Sequence, residues 1–224
     1  MRDLKRAFKL MKYTYHYQSK DEKFMPLILF VVGMAALLGC MKDSYYIIVA
    51  SPMLVLSVTY LGSYYYSLTC AHMAGASGLR KNLNLIIPNL FSVVGTLWAY
   101  LLISVVLTGW VNFHPETASG YAKGLLETAA MTGVLIIFYG ISDKKYWVGL
   151  VLVIVLLLPT ISILPFWLKD VNTFLGRPLT LQWGLVIYGV GLLISTVISC
   201  VLRCMLYKVP AMRGRLGKQM LHAM

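Results

Sequence analysis

What most restricts the fold of this chain is where its charges are missing. Six stretches, at about 25–41, 45–68, 85–108, 124–141, 146–168 and 181–206, are dominated by Leu, Val, Ile, Phe, Tyr and Gly. Glu127 is the only acidic residue within them, and Arg203 stands close to the end of the last. Each is about the 17–25 residues that cross a hydrocarbon core of roughly 30 Å as a helix. In hydrocarbon the backbone must satisfy its own hydrogen bonds, which a helix does within one segment. The expected fold is therefore all-α, a single transmembrane domain over residues 1–224 with six transmembrane helices. At 59% hydrophobic and 12% charged the chain lies outside the range of soluble domains, which run near half apolar and a quarter charged. The spans leave no room for a soluble catalytic domain.

The charges orient the helices. One side of the expected bundle collects Arg2, Lys5, Arg6, Lys9, Lys12, Lys20, Lys23, Arg80, Lys81, Lys144, Lys145, Arg203, Lys208, Arg213, Arg215 and Lys218. The other has only Lys42, Lys123, Lys169 and Arg177. Basic residues near spans stay in the cytosol, so both termini, the basic tail at 207–224 and the loop around Arg80 are expected inside. Trp110, Trp167 and Trp183 then fall at the outer boundary and Trp147 at the inner one, where interfacial aromatics belong. The net charge of +12 is thus accounted for by topology, and no nucleic-acid partner is expected.

Residues 1–20 repeat apolar side chains at helical spacing, Leu4, Phe8, Met11 and Tyr15, among cations on the other faces. Such a helix lies along a membrane surface, with its cations at anionic headgroups; the alternative is an ordinary positively charged flank, against which the regular apolar spacing weighs. The apolar run that starts near Phe24 continues past signal-peptide length without a small-residue cleavage site, so it is expected to be retained. Of the four cysteines, Cys40, Cys70, Cys200 and Cys204, the last two share a helix face. With no His nearby in sequence they read as apolar packing residues, and no metal site is expected.

Signals of enzymatic chemistry are missing. His16, His72, His114 and His222 all lie outside the spans, and the chain has no His-Glu-x-x-His, no Gly-x-Ser-x-Gly and no Walker A sequence. Glu127 has two readings. An intramembrane carboxylate is a candidate substrate-path or ion site. In the first turn of a helix starting near Gly124, with Lys123 four residues before it, it would instead complement the helix dipole.

Pro159 and Pro165 remove two amides and favour extended backbone at the residues before them. Either the fifth helix ends near Leu158 and a bent or re-entrant piece follows, drawing on residues 159–180, or the helix is simply kinked. Gly184, Gly191, Ser195 and Ser199 share a face of the sixth span with Tyr188 between them. Small residues at this spacing let helices approach closely, so the face is a candidate helix–helix interface, within the bundle or between two chains. Gly33, Ala36 and Cys40 do the same in the first span, while Trp98 and Tyr100 read as packing residues.

Thr69 to Pro88 interrupts the apolar pattern with Thr-Cys-Ala-His-Met-Ala-Gly-Ala-Ser-Gly-Leu-Arg-Lys-Asn-Leu-Asn-Leu-Ile-Ile-Pro. Ser77 or Gly78 can cap a short helix that would present Leu79, Leu83 and Ile86 on one side and Arg80, Lys81 and Asn84 elsewhere. Pro88 is expected in the first turn of the third span. A short amphipathic helix under a membrane suits docking into a partner's groove; it would equally be a solvated basic turn.

Taken together, the amphipathic N-terminal helix, six spans with both ends inside, Gly78-Leu79-Arg80-x-x-Leu83-x-x-x-x-Pro88 between spans two and three, and a proline-broken segment before span six resemble the membrane subunits of ABC-2 type transporters, bacterial ABC exporters. The resemblance covers the layout of nearly the whole chain, although His72 to Ser77 lacks the acidic residues common before the glycine in that family. It implies a permease of the bacterial cytoplasmic membrane with a separate cytosolic ABC ATPase docked on the Leu79–Leu83 helix, through Gly78, Leu79, Arg80, Lys81, Leu83 and Pro88. It implies a second permease chain, identical or not, and ATP and Mg bound by the partner, with no cofactor on this chain. The acid-poor spans suggest a hydrophobic or amphipathic substrate: a lipid, peptide or drug. The alternatives are a non-transporting membrane sensor or assembly protein, and a secondary carrier using Glu127.

Overall fold

The structure is a computed structural model that describes residues 20–69, 85–142, 146–164, 173–174 and 177–206. Within these residues the chain is helical apart from short links and one two-residue β pair. Helix α1 spans Lys20–Gly39 and α2 spans Ile47–Thr69. The turn between them is built locally. Amides of Cys40 to Asp43 bond back to the carbonyls of Ala36, Leu38 and Gly39. Extended Asp43 (φ −145°) then caps a single 3-10 turn, Ser44–Tyr46, by accepting from the Tyr45 amide. From the sequence, Lys42, Asp43 and Ser44 are expected to make a tight turn between the first two spans; in the structure that turn rests on an aspartate cap.

Helix α3 spans Ile87–Phe113, with Pro88 in its first turn, where the missing amide costs no helical bond. Only His114 and a 3-10 turn, Pro115–Thr117, separate it from α4, Ala118–Ser142. Sequence reading expects a polar connection from Trp110 to Lys123 and a fourth helix from Gly124; the structure replaces most of that connection with helix. Pro115 confines the break to His114, because the residue before a proline is pushed out of the helical region (φ −137°, ψ 68°). Gly120 and Gly124 suggest a loop by propensity, but they let α4 lie against Ser44 and Ile47.

Helix α5, Tyr146–Ser162, runs through Pro159 instead of ending before it. The Ile163 amide bonds to the Pro159 carbonyl, and the Thr160 and Ser162 hydroxyls donate to the carbonyls of Leu156 and Leu158. Hydroxyls bonded one turn back in this way favour a bend, and neither serves the Val155 carbonyl that Pro159 leaves without its amide. Of residues 159–180, the described part beyond Leu164 begins with strand β1, Thr173–Phe174, paired antiparallel to β2, Arg177–Pro178. Sequence gave no sign of that pair. Helix α6, Leu181–Leu206, starts where expected, with Thr180 accepting from the Trp183 amide as its cap.

In the bundle, α4 and α6 make the most extensive pairing, α2 packs on α1, α3 and α4, and α5 rests on α4. Among the described residues three stretches, Ile87–Phe113, Pro115–Ser142 and Leu181–Leu206, are long and apolar enough to cross a membrane. The apolar parts of the other helices are shorter: Phe24–Gly39, Ser44–Tyr60 and Trp147–Ser162. Side-chain distribution points the same way. Val105 (70% exposed) and Leu193 (63%) face outward, while Ser51, Ser92, Thr128, Thr132 and Ser199 are fully buried. Large aliphatics outside and small or hydroxyl residues between helices suit lipid as the solvent. The protein is a membrane protein.

Candidate functional site

The candidate site is the polar interior where α2, α3, α4 and α6 meet. Its frame is the α4–α6 seam. A side-chain carbon added to Gly184 would stand 2.8 Å from the Ala122 Cα, and one added to Gly191 would stand 3.2 Å from the Ala129 Cβ. Ser195 rests on Gly133 and Ser199 on Gly140. Small residues on both helices thus allow backbone approach, and the Gly184–Ser199 face is occupied by α4 of the same chain. Near the Gly184 end of this seam the Tyr121 hydroxyl donates to the Cys40 carbonyl at 2.6 Å, tying α4 to the end of α1.

Above this frame sits a hydroxyl node. Ser51 Oγ of α2 lies 2.6 Å from Tyr188 Oη of α6 and 2.9 Å from Thr132 Oγ1 of α4. The Tyr188 ring is fully buried and stacks on Tyr100 of α3, with centroids 6.0 Å apart. Four helices therefore converge on one tyrosine. Each hydroxyl can donate once and accept twice, so the two contacts centred on Ser51 take up two of the three protons and need no charge.

Towards the cytosolic ends expected from the charges, α3 and α6 share two polar rungs. Thr96 Oγ1 meets Thr196 Oγ1 at 3.0 Å, and both also contact their own helices at Ser92 O and Leu192 O. One threonine proton lies between the two side chains, the other goes to a backbone carbonyl. Arg203, only 4% exposed, extends Nη1 to the Pro88 carbonyl at 2.9 Å and to Asn89 Oδ1 at 3.4 Å.

No family model, curated protein or solved structure matches this chain. The site therefore has to be read from its own geometry.

Of the residues singled out in the sequence, Gly184, Gly191, Ser195 and Ser199 lie on the α4–α6 seam. Pro88 is buried in the first turn of α3. Gly78, Leu79, Arg80, Lys81 and Leu83 fall outside the described residues, as do the N-terminal segment 1–19 and the tail from 207. Glu127 requires a correction. Because α4 starts at Ala118, Glu127 lies beyond the first turn, half-buried, where the helix-dipole effect has largely faded. Trp98 also differs from expectation: it is 43% exposed on the outer face of α3, whereas Tyr100 packs inside.

Sequence reasoning passed over Ser51, Thr96, Thr132 and Thr196, and it used Arg203 only as an orienting charge. A signal existed for the threonines, which recur among small residues on the buried faces of otherwise aliphatic helices. For Arg203 none did, because a cation in the last turn of a span ordinarily reaches out to the interface.

Proposed function

We propose that this chain is the six-span permease subunit of an ATP-driven transporter of the ABC-2 type, driven through its cytosolic 69–88 loop. A separate ABC ATPase would dock on the Leu79–Leu83 segment, and two permease chains would enclose a cavity for a hydrophobic or amphipathic substrate. The N-terminal segment would lie as a surface helix with both termini in the cytosol of a bacterial cell.

The observation that carries this reading is how the end of the loop is tied into the bundle. Pro88 closes the loop and opens α3, and its carbonyl is held by Arg203 of α6. Eight residues further along α3, Thr96 bonds α6 again. A push on the loop would therefore reach α3 and α6 together instead of being absorbed by a free turn. Rigid elements with two discrete arrangements are what coupling requires.

In the test, a complex of the chain with its ATPase is isolated and ATP-dependent export is measured in vesicles. Leu79→Asp with Leu83→Asp should abolish both co-purification and export, since charge in an apolar docking groove is strongly unfavourable. Unchanged assembly and export in that variant would sink the coupling role.

The placement of Glu127 past the first turn of α4 favours a second reading, a carrier that uses this carboxylate. Glu127→Gln separates the two. Export that survives with its ATP requirement intact belongs to the ABC reading; loss of transport together with loss of proton or sodium dependence belongs to the carrier.

A further inference from the structure

Helix α5 is supported from one side. Among the described elements it packs on α4, and Val151, Val155, Leu158 and Ile161 stand on its exposed surface. The contact is tight at Gly149, where an added side-chain carbon would meet Phe138 at 3.0 Å and the Ser142 Cα at 3.5 Å. About three turns further along, α5 is weakened. Pro159 leaves the Val155 carbonyl without its amide, and Thr160 and Ser162 bond one turn back in the pattern that bends helices.

Register puts Glu127 opposite that weak point. Gly149 returns against Phe138 and Ser142 directly after the link between the two helices, so α4 and α5 run antiparallel. Glu127 lies about three turns before Phe138 on the same face of α4, and Thr160 about three turns after Gly149 on the same face of α5. Coverage agrees: Leu157, Thr160 and Leu164 are partly covered, while Leu158, Ile161 and Ile163 are exposed. The half-buried carboxylate and the threonine therefore stand at one level, near the middle of α4.

Few charges share that level. From Trp147 to Leu164, α5 carries no titratable side chain. On α4, Lys123 stands one turn before Glu127 and has contacts of its own. Lys169 and Asp170, which follow α5 in the sequence, fall outside the described residues.

The two charge states of Glu127 meet this neighbour differently. Ionised, a carboxylate only accepts hydrogen bonds, and the Thr160 proton is already given to the Leu156 carbonyl at 2.7 Å. At membrane depth the charge then needs water or a cation. Protonated, the carboxyl can donate to the oxygen of Thr160, which still has room to accept, and it can lie against aliphatic helix. No hydrogen bond joins the two in the structure.

We propose that Glu127 and Thr160 form a proton-dependent latch between α4 and the outer part of α5. With Glu127 protonated, its O–H donates to Thr160 Oγ1 and the segment beyond Pro159 lies on α4. When the proton leaves to water, that bond is lost and the segment swings outward about the proline, opening the carboxylate to water. The latch stands under either transport reading, because it requires only that α4 and α5 lie in a membrane.

The test puts nitroxide labels on Phe113→Cys at the end of α3 and Ile163→Cys beyond the proline, both exposed positions. The full chain is used, with its native cysteines replaced by alanine. Pulsed electron–electron spectroscopy in phosphatidylcholine vesicles, with one buffer inside and out, reads the separation from about pH 4 to pH 9, a range that spans the carboxyl pKa values met in proteins. Wild type should convert from one short-distance population at low pH to a longer one at high pH. Glu127→Gln stays neutral and can still donate, so it should hold the short distance throughout. Thr160→Val should move the conversion to lower pH by about one unit or less, as for one hydrogen bond, and it carries the test if Glu127→Gln does not fold. Exchanging choline for sodium at fixed pH should change nothing. An unchanging wild-type distance would overturn the latch, and conversion retained in Glu127→Gln would take the proton off Glu127. A wild-type midpoint in Thr160→Val would remove that partner, and conversion driven by sodium would overturn the proton as the ligand.

Discussion

Truncating Tyr188 to alanine is expected to destabilise the bundle by about 3–5 kcal/mol, the range for removing a large buried aromatic. The side chain is fully buried, bonds Ser51 of α2 and stacks on Tyr100 of α3. Its loss opens a cavity where four helices meet, beside the Tyr100 ring that stacked on it. Tyr188→Phe separates ring from hydroxyl. Ser51 keeps Thr132 as a partner at 2.9 Å, so that variant should lose only about 0.6–1.5 kcal/mol, as for one interhelical hydrogen bond. Reversible unfolding in bicelles, followed by tryptophan fluorescence, measures both. A phenylalanine variant as damaged as the alanine one would mean that the hydroxyl node, not the packed ring, holds the centre. Two wild-type-like variants would mean that Tyr188 is not in the core.

The same node shows what sequence could and could not reveal. Helices were legible because their evidence is local: uncharged runs of the right length. The small-residue face of α6 was legible for the same reason, being periodic along one helix. Its partner on α4 was not. Ala122 falls in the stretch that reads as a polar connection, while Ala129, Gly133 and Gly140 lie inside the expected fourth span, where nothing along one helix says which other helix its small residues face.

The polar pairings were hidden for a different reason. Ser51 and Tyr188 are far apart in sequence, as are Thr96 and Thr196. Nothing in a single chain says which buried hydroxyls meet. A threonine in an apolar helix can equally satisfy itself on its own i−4 carbonyl, as Thr59 and Thr128 do on Val55 and Gly124. Arg203 misled more directly. Counting it as an inside flank carried no information on whether its side chain turned outward to water or inward to α3.

Gly184→Leu should be the most disruptive single change on the α4–α6 seam, and Gly109→Leu supplies its control. The first added carbon at Gly184 already meets the Ala122 Cα at 2.8 Å and its carbonyl oxygen at 3.2 Å. Those neighbours are backbone, so relief requires the two helices to separate. Overpacking of this kind costs about 1–3 kcal/mol and sometimes more. Here the cost extends along the seam, because Gly191, Ser195 and Ser199 depend on the same close approach. Gly109 is also helical but faces open space, so leucine there should change stability little. The pair is matched in residue type and in added volume; only the neighbour differs. Comparing their unfolding midpoints isolates the seam from any general effect of leucine in the helix. If the two variants prove indistinguishable, α4 does not occupy that face of α6, and the small-residue run is left open to a helix from a second chain.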